Sequence, residues 1–146
     1  ITRSSLNRLN EQIKANGGKA AQAEVFRANI VVAEDLQARP GMEQPYAEDG
    51  WRYMQIGQQL FQMFGSCRRC QMICVDQSTA VKNEEPFLTL AKTRRFDGKV
   101  WFGQHTCHVR IQDAASPHAQ NPTIRAGDPV KTFEDQDEDL PLEFRP

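Results

Sequence analysis

The sequence lacks the features that mark several large classes of protein. It contains no run of eighteen or more apolar residues, which argues against a membrane-spanning helix. It opens with no basic and apolar leader of the secretory type. Its four cysteines are few for the disulfide framework of a secreted scaffold of 146 residues, so we expect free thiols. These absences predict a soluble domain, with no membrane partner, in the reducing cytoplasm.

Several catalytic and nucleotide-binding signatures are also missing. No Ser-His-Asp order, glycine-rich phosphate loop or dinucleotide fingerprint occurs. The net charge is only −1, yet six acids and no base lie between Glu134 and Glu143, so the body of the chain is mildly cationic. That balance suits an anionic small molecule, whereas nucleic acid would require a dense basic stripe with interleaved aromatics. We expect residues 134–146 to form an acidic, solvated and disordered tail.

Short apolar segments separated by turn residues fill most of the chain. Ser4–Ile13 and Phe87–Arg94 have the spacing and flanking residues of helices. The other segments have the β-branched and aromatic content of strands. They are Val25–Val32, Trp51–Ile56, Gln59–Phe64, Gln71–Val75, Val100–Phe102, Thr106–Ile111 and a last strand after the turn at Ile124–Val130. A turn near Gly57 joins Trp51–Ile56 and Gln59–Phe64 into a predicted hairpin. The pattern predicts a mainly β fold, a barrel with a few short helices.

The segment Cys67-Arg68-Arg69-Cys70 carries the strongest chemical signal, because two arginines stand between two thiols. Positive charge favours the thiolate, which is the form that acts as nucleophile and metal ligand. Guanidinium groups bind phosphate through paired hydrogen bonds. If Val25–Val32 is a strand, the two-residue period puts Arg27 and Asn29 on one face of it.

A structural zinc site is an alternative for the same cysteines. Cys67 and Cys70 together with Cys107 and His108 would supply four ligands of suitable type. The second pair lacks the usual two-residue spacer, however, and adjacent strand residues point to opposite faces. Cys74 lies in an apolar alternation, and we expect both it and Cys107 to be small buried residues.

Two acidic pairs could suggest acid–base catalysis. They are Glu48-Asp49 and Glu84-Glu85. Their neighbours are turn residues in the first case and the start of a predicted helix in the second. We therefore interpret them as turn and helix-start residues without a catalytic role.

Several segments together resemble the MOSC domain family and occur in its order. The resemblance covers about Ser4 to Val130, and we assign residues 1–133 to the C-terminal part of such a domain. The segments are Phe26–Val32, Tyr46–Trp51, Cys67–Cys70 with Val75–Thr79, Glu85–Leu90, Phe102–Gln104 and Gly127–Val130. The Gly65–Asp76 stretch is more similar to the branch found at the C-terminus of eukaryotic molybdenum cofactor sulfurases than to the amidoxime-reducing branch.

The resemblance implies a MOSC-type β-barrel that binds the molybdenum cofactor, an anionic pterin with a dithiolene-held metal and a phosphate. It implies that Cys70 is the catalytic residue and faces molybdenum, either as a ligand of the metal or as a relay that carries a transient persulfide. It implies that Arg27, Asn29, Arg68 and Arg69 hold the cofactor. The residue chemistry agrees, because thiolates suit soft metal centres and guanidinium suits phosphate.

The resemblance also implies a sulfurtransferase that acts as part of a longer polypeptide. Its partners would be an N-terminal desulfurase domain with pyridoxal phosphate and the molybdenum hydroxylases, of the xanthine dehydrogenase and aldehyde oxidase type, that receive the sulfurated cofactor. Because the sequence begins at Ile1 and lacks that desulfurase domain, we expect the chain alone to be inactive. A MOSC reductase of N-hydroxylated compounds and a zinc-binding module remain the alternatives.

Overall fold

A curled five-stranded antiparallel sheet organises the computed structural model, which describes residues 1–33, 44–109 and 122–134. The strand order is β3-β4-β2-β1-β5. The strands are β1 Tyr53–Ile56, β2 Gln59–Arg69, β3 Arg95–Phe96, β4 Lys99–Val109 and β5 Val130–Phe133. The prediction of a mainly β, barrel-type fold with few short helices is confirmed.

The first two strands form the predicted hairpin. Met54 pairs with Phe61 and Ile56 with Gln59, so that two residues form the turn. Gly57 has a φ of +56°, the left-handed conformation that such tight turns require. The sequence prediction ended the second arm at residue 64, but β2 continues to Arg69. The strand thereby carries most of the cysteine and arginine motif.

Two helices lie where the sequence predicts them. Helix α1 spans Arg3–Ala15, and its buried residues include Leu6, Leu9 and Ile13, spaced three and four apart as a single apolar face requires. Its N-cap is Thr2, whose hydroxyl accepts a hydrogen bond from the Ser5 amide. Within the described ranges, no helix is long and apolar enough to cross a membrane.

Helix α2 spans Phe87–Thr93 and begins as the acidic pair predicts. The Glu85 carboxylate accepts hydrogen bonds from the Thr89 amide at 3.1 Å and from the Thr89 hydroxyl at 2.8 Å. A carboxylate at this end of a helix satisfies an amide that has no partner within the helix. The interpretation of Glu85 as a helix-start residue is confirmed.

Two predicted strands are wrong. Residues Ala23–Phe26 form a short 3₁₀ helix, and a left-handed Arg27 with φ of +52° follows it. Of the predicted strand, the structure keeps only an isolated bridge between Val32 and Thr2. Residues Gln71–Cys74, the other predicted strand, also form a 3₁₀ helix.

The reason for both errors is packing. Phe26 is buried against Phe102, with ring centroids 4.6 Å apart, and this contact overrides the strand preference of its β-branched neighbours. In the second segment Ile73 and Cys74 are both buried in the core of the first unit, and this packing rather than strand pairing fixes their backbone. Gly103, with φ of +70°, lies inside β4, which the sequence divided into two strands at this point.

The chain forms two compact units. The first contains Ile1–Asp49 and Ser66–Gln104, and the second contains Gly50–Gly65 and His105–Pro146. Among the described residues, the second unit packs Tyr53 and Val109 around buried Leu60 and Phe133. The acidic tail prediction falls almost wholly on residues 135–146, outside the described ranges. The buried core of the first unit consists of Leu6, Leu9, Ile13, Ala21, Phe26, Ile73, Cys74, Leu90, Val100 and Phe102.

Candidate functional site

The end of β2 presents the Cys67–Cys70 segment in an extended conformation. Cys67 and Arg69 are half-buried, whereas Arg68 and Cys70 are exposed, which is the alternation expected of a strand. Cys70 is itself extended, with φ of −119° and ψ of 175°, and the 3₁₀ helix Gln71–Cys74 begins directly after it. The Cys70 thiol, which the family resemblance assigns as the catalytic group, is therefore accessible.

The extended backbone also separates the two thiols of the motif. Three residues of strand span roughly 10 Å at about 3.3 Å per residue. A disulfide needs Cα atoms within about 7 Å of each other, and both cysteines are free in the structure. The segment is thus not folded as a compact redox or zinc-binding turn. Cys67 and Cys70 instead offer their sulfurs on opposite faces of the strand.

Arg69 is the best-anchored side chain of this region. Its Nε donates to the Phe102 carbonyl at 2.7 Å and its Nη1 donates to the Phe26 carbonyl at 2.9 Å. The guanidinium carbon also lies 5.5 Å from the centre of the Phe26 ring. An arginine has five N–H donors, so these two bonds leave three for other acceptors.

Burial lowers the pKa of the Arg69 guanidinium from its ordinary value. The negative charge of Cys67 and then of Cys70, as thiolates, acts in the opposite direction on that pKa. Arginine nevertheless stays protonated in proteins. A fixed positive charge therefore lies within electrostatic reach of both sulfurs.

The bonds of Arg69 bring together the segments that carry the predicted site residues. Its acceptor at Phe26 directly precedes Arg27, and Asn29 follows two residues later. Its acceptor at Phe102 directly precedes Gly103. A Cβ atom at Gly103 would lie 3.2 Å from Arg69 Nη2 and 2.5 Å from the Ile1 side chain, so this close approach depends on glycine.

The other predicted cofactor residues lie on the surface. Arg27, Asn29 and Arg68 are all exposed. Arg27 and Asn29 do not share a strand face, because the strand that was to align them is absent. That Arg27 and Asn29 hold the cofactor stays a prediction. Its physical support is the hydrogen bond from Arg69 to the carbonyl of Phe26, the residue directly before Arg27.

Sequence reasoning missed Glu48 and Asp49. Glu48 is only 3% exposed, and its Oε2 accepts hydrogen bonds from the Ser5 hydroxyl at 2.8 Å and from the Thr2 hydroxyl at 3.1 Å. Asp49 accepts from Gln104 and from Arg94. Both were interpreted as turn residues, which fits their backbone but not their side chains. The available signal was their place in the Tyr46–Trp51 segment of the family resemblance.

The remaining cysteines differ in exposure. Cys74 is 4% exposed, as predicted, and its thiol donates to the Glu84 carbonyl at 3.2 Å. Burial raises the pKa of this thiol. Cys107 is exposed, so the prediction of a buried residue is wrong. It lies with exposed His105 on one side of β4, whereas Thr106 and His108 on the other side are half-buried.

The described residues contain no group of three or more His, Cys, Asp or Glu side chains that could hold a metal ion. His108, a ligand in the zinc alternative, is paired with Gln59 at 2.9 Å from its Nε2 and contacts the Phe61 ring edge-on. Because its Nε2 is hydrogen-bonded to a side-chain amide, we interpret His108 as a structural residue of the second unit.

Alkylation should distinguish the thiols. We expect iodoacetamide at pH 8 to modify Cys70 and Cys107 first and Cys74 at least about tenfold more slowly, because thiolate content and exposure control the rate. Peptide mass spectrometry over a time course measures each rate. Cys74 reacting as fast as Cys107 would contradict its buried position.

The curled sheet, with an accessible thiol directly after β2, sets the class of fold, and the chain belongs to the MOSC domain family, which it matches over residues 1–131. It is 57% identical over 130 residues to a molybdenum cofactor sulfurase of Botryotinia fuckeliana, covering 89% of this chain and 16% of that protein. It is 46% identical over 152 residues to the molybdenum cofactor sulfurase of Neosartorya fischeri, an alignment that covers 96% of this chain and 18% of that protein. It is 46% identical over 136 residues to the sulfurase of Aspergillus terreus, and here the alignment covers 91% of this chain and 16% of that protein.

These comparisons confirm the family resemblance that the sequence motifs indicate. The relatives carry a name that links them to the molybdenum cofactor. The chain spans less than a fifth of the length of these curated relatives.

Proposed function

We propose that this chain is the part of a molybdenum cofactor sulfurase that binds the molybdenum cofactor and accepts sulfur. The observation that carries the proposal is the pair of Arg69 hydrogen bonds, which attaches the Arg27 segment and β4 to the end of β2, directly before Cys70. The hydrogen bonds of this one side chain thereby bring together segments that carry a thiol, guanidinium groups and a side-chain amide. The similarity to fungal sulfurases supports the same function.

The donor set fits the chemistry of the cofactor. An exposed thiol is a suitable ligand for a soft metal centre, and Cys70 supplies one. Guanidinium groups suit a phosphate, and Arg27 and Arg68 are exposed while Arg69 keeps three N–H donors. Asn29 adds a neutral donor and acceptor. When bound, the cofactor supplies a molybdenum centre that takes up a terminal sulfur.

Within this proposal Cys70 has the central chemical role. Its exposed position allows it either to ligate molybdenum or to carry a transient persulfide. Sulfur would come from a pyridoxal phosphate desulfurase domain elsewhere in the polypeptide, and the sulfurated cofactor would go to molybdenum hydroxylases in the cytoplasm.

Metal and pterin analysis of the full natural polypeptide that carries this chain tests the proposal. We expect molybdenum and pterin in nearly equal amounts in the purified protein. The exchange Arg27→Ala should weaken cofactor binding roughly tenfold, because a hydrogen bond to a charged group contributes about 1.5–3 kcal/mol.

The matched control is Arg8→Ala, which removes an exposed arginine of α1 that pairs with Glu11. It should leave the cofactor content unchanged. Stoichiometric zinc without molybdenum or pterin would overturn the proposal in favour of the zinc-binding module.

A further inference from the structure

A chain of hydrogen bonds in the first unit leads to the residue just before Cys67. Asp49 Oδ1 accepts from Gln104 Nε2 at 2.8 Å, and the same nitrogen donates to the Ser66 hydroxyl oxygen at 3.1 Å. The other oxygen of Asp49 accepts from Arg94. Neither Asp49 nor Ser66 belongs to the site that the sequence predicts.

The Asp49 carboxylate decides which way the Gln104 amide faces. An ionised carboxylate only accepts hydrogen bonds, so the amide must present its nitrogen rather than its oxygen to Asp49. Arg94 reinforces this arrangement, since its guanidinium pairs with the second carboxylate oxygen and lies 4.4 Å from the centre of the Tyr46 ring. The remaining hydrogen of the Gln104 nitrogen then points to Ser66.

The direction of that last bond fixes the role of Ser66. A hydroxyl has one proton and two lone pairs, and Ser66 uses a lone pair to accept from Gln104. In the part of the chain that the structure describes, no acceptor takes the Ser66 proton. Ser66 therefore keeps a hydrogen-bond donor one residue before Cys67 and four before Cys70.

We infer that the Ser66 hydroxyl donates a hydrogen bond to the bound anionic cofactor and that Asp49 is a positioning residue, which sets this donor through Gln104. The inference rests on the proposed function for the identity of the anion. It adds Ser66 to the cofactor site and gives Asp49 an indirect role at a distance from the cysteines.

An isosteric pair of substitutions tests Ser66. Threonine and valine have the same shape and both suit a strand, but only threonine keeps the hydroxyl. In the full natural polypeptide, Ser66→Thr should change the dissociation constant of the pterin cofactor less than about twofold, whereas Ser66→Val should raise it about tenfold. Quenching of pterin fluorescence on titration measures both. Equal binding by the two variants would overturn the role of Ser66.

A double-mutant cycle tests the path from Asp49. Asparagine keeps the size of Asp49 but has one oxygen for two donors, so Gln104 can turn and present its oxygen to Ser66. We expect Asp49→Asn to weaken binding about fivefold alone and less than about twofold when Ser66→Val is already present. If the double variant instead loses affinity by the product of the two single-variant factors, Asp49 does not act through Ser66 and its indirect role is overturned.

The control is Asp97→Asn, an exposed acid of the first unit in the turn between β3 and β4, and it should leave binding unchanged. A natural polypeptide that binds no pterin would overturn the proposed function and this inference together. Normal pterin binding by the natural polypeptide, with equal dissociation constants for Ser66→Thr and Ser66→Val, would overturn the inference and leave the proposed function intact.

Discussion

Replacing Cys70 with alanine in the full natural polypeptide is expected to abolish sulfur transfer to the cofactor while cysteine desulfuration continues. Cys70 is exposed directly after β2, next to Arg69 in the chain, and its thiol is the group proposed to hold molybdenum or relay sulfur. Removing the thiol removes the acceptor but changes nothing buried. We expect at least about a hundredfold loss of sulfurated cofactor, which exceeds the effect of a single lost hydrogen bond.

Two measurements on the same preparation check this result. Alanine formed from cysteine reports desulfuration, and reactivation of a desulfo-molybdenum hydroxylase reports transfer. Cys107→Ala is the matched control, since it removes another exposed thiol from a strand. Normal transfer by the Cys70 variant would show that another group receives the sulfur and would reject the role assigned to Cys70.

Replacing Arg69 with methionine is expected to destabilise the first unit by about 3 kcal/mol, because two charge-assisted hydrogen bonds are lost and two half-buried carbonyls lose their donor. Methionine keeps most of the apolar volume of the arginine stem. The Arg27 segment also loses its attachment, so cofactor binding should fall along with stability. Urea unfolding, followed by fluorescence, gives the free energy of unfolding.

The neighbouring arginine supplies the control for this prediction. Arg68→Met removes an exposed side chain of the same strand, and we expect a change in stability within about 0.5 kcal/mol. Arg69→Lys should recover only part of the loss, since one ammonium does not reproduce the fork that reaches both carbonyls. Equal stability of the two methionine variants would contradict the anchoring role of Arg69.

The sequence predicts the local elements well where one signal dominates. The apolar spacing in α1, the acidic start of α2 and the turn at Gly57 all describe interactions between residues that are close in the chain. It fails at Val25–Val32 and Gln71–Val75, where β-branched and apolar residues pack on distant rings and backbone instead of pairing as strands.

The same division applies to the site. The chemical groups could be named from residue types, because thiols suit soft metal centres and guanidinium groups suit phosphate wherever they lie in the fold. The partners of Arg69 could not be named, since they are backbone carbonyls 33 and 43 residues away in the chain. Every residue has a carbonyl, so no residue type marks these two.

By itself, the amino-acid sequence determined the family and the fold class, and it supplied the thiols and guanidinium groups of the Cys67–Cys70 segment. Only the tertiary structure decided that Arg69 anchors the site, that the two thiols of the motif diverge and that Asp49 reaches Ser66 through Gln104. The physical reason is that residue type fixes what a group can bind, whereas the folded backbone fixes which groups meet.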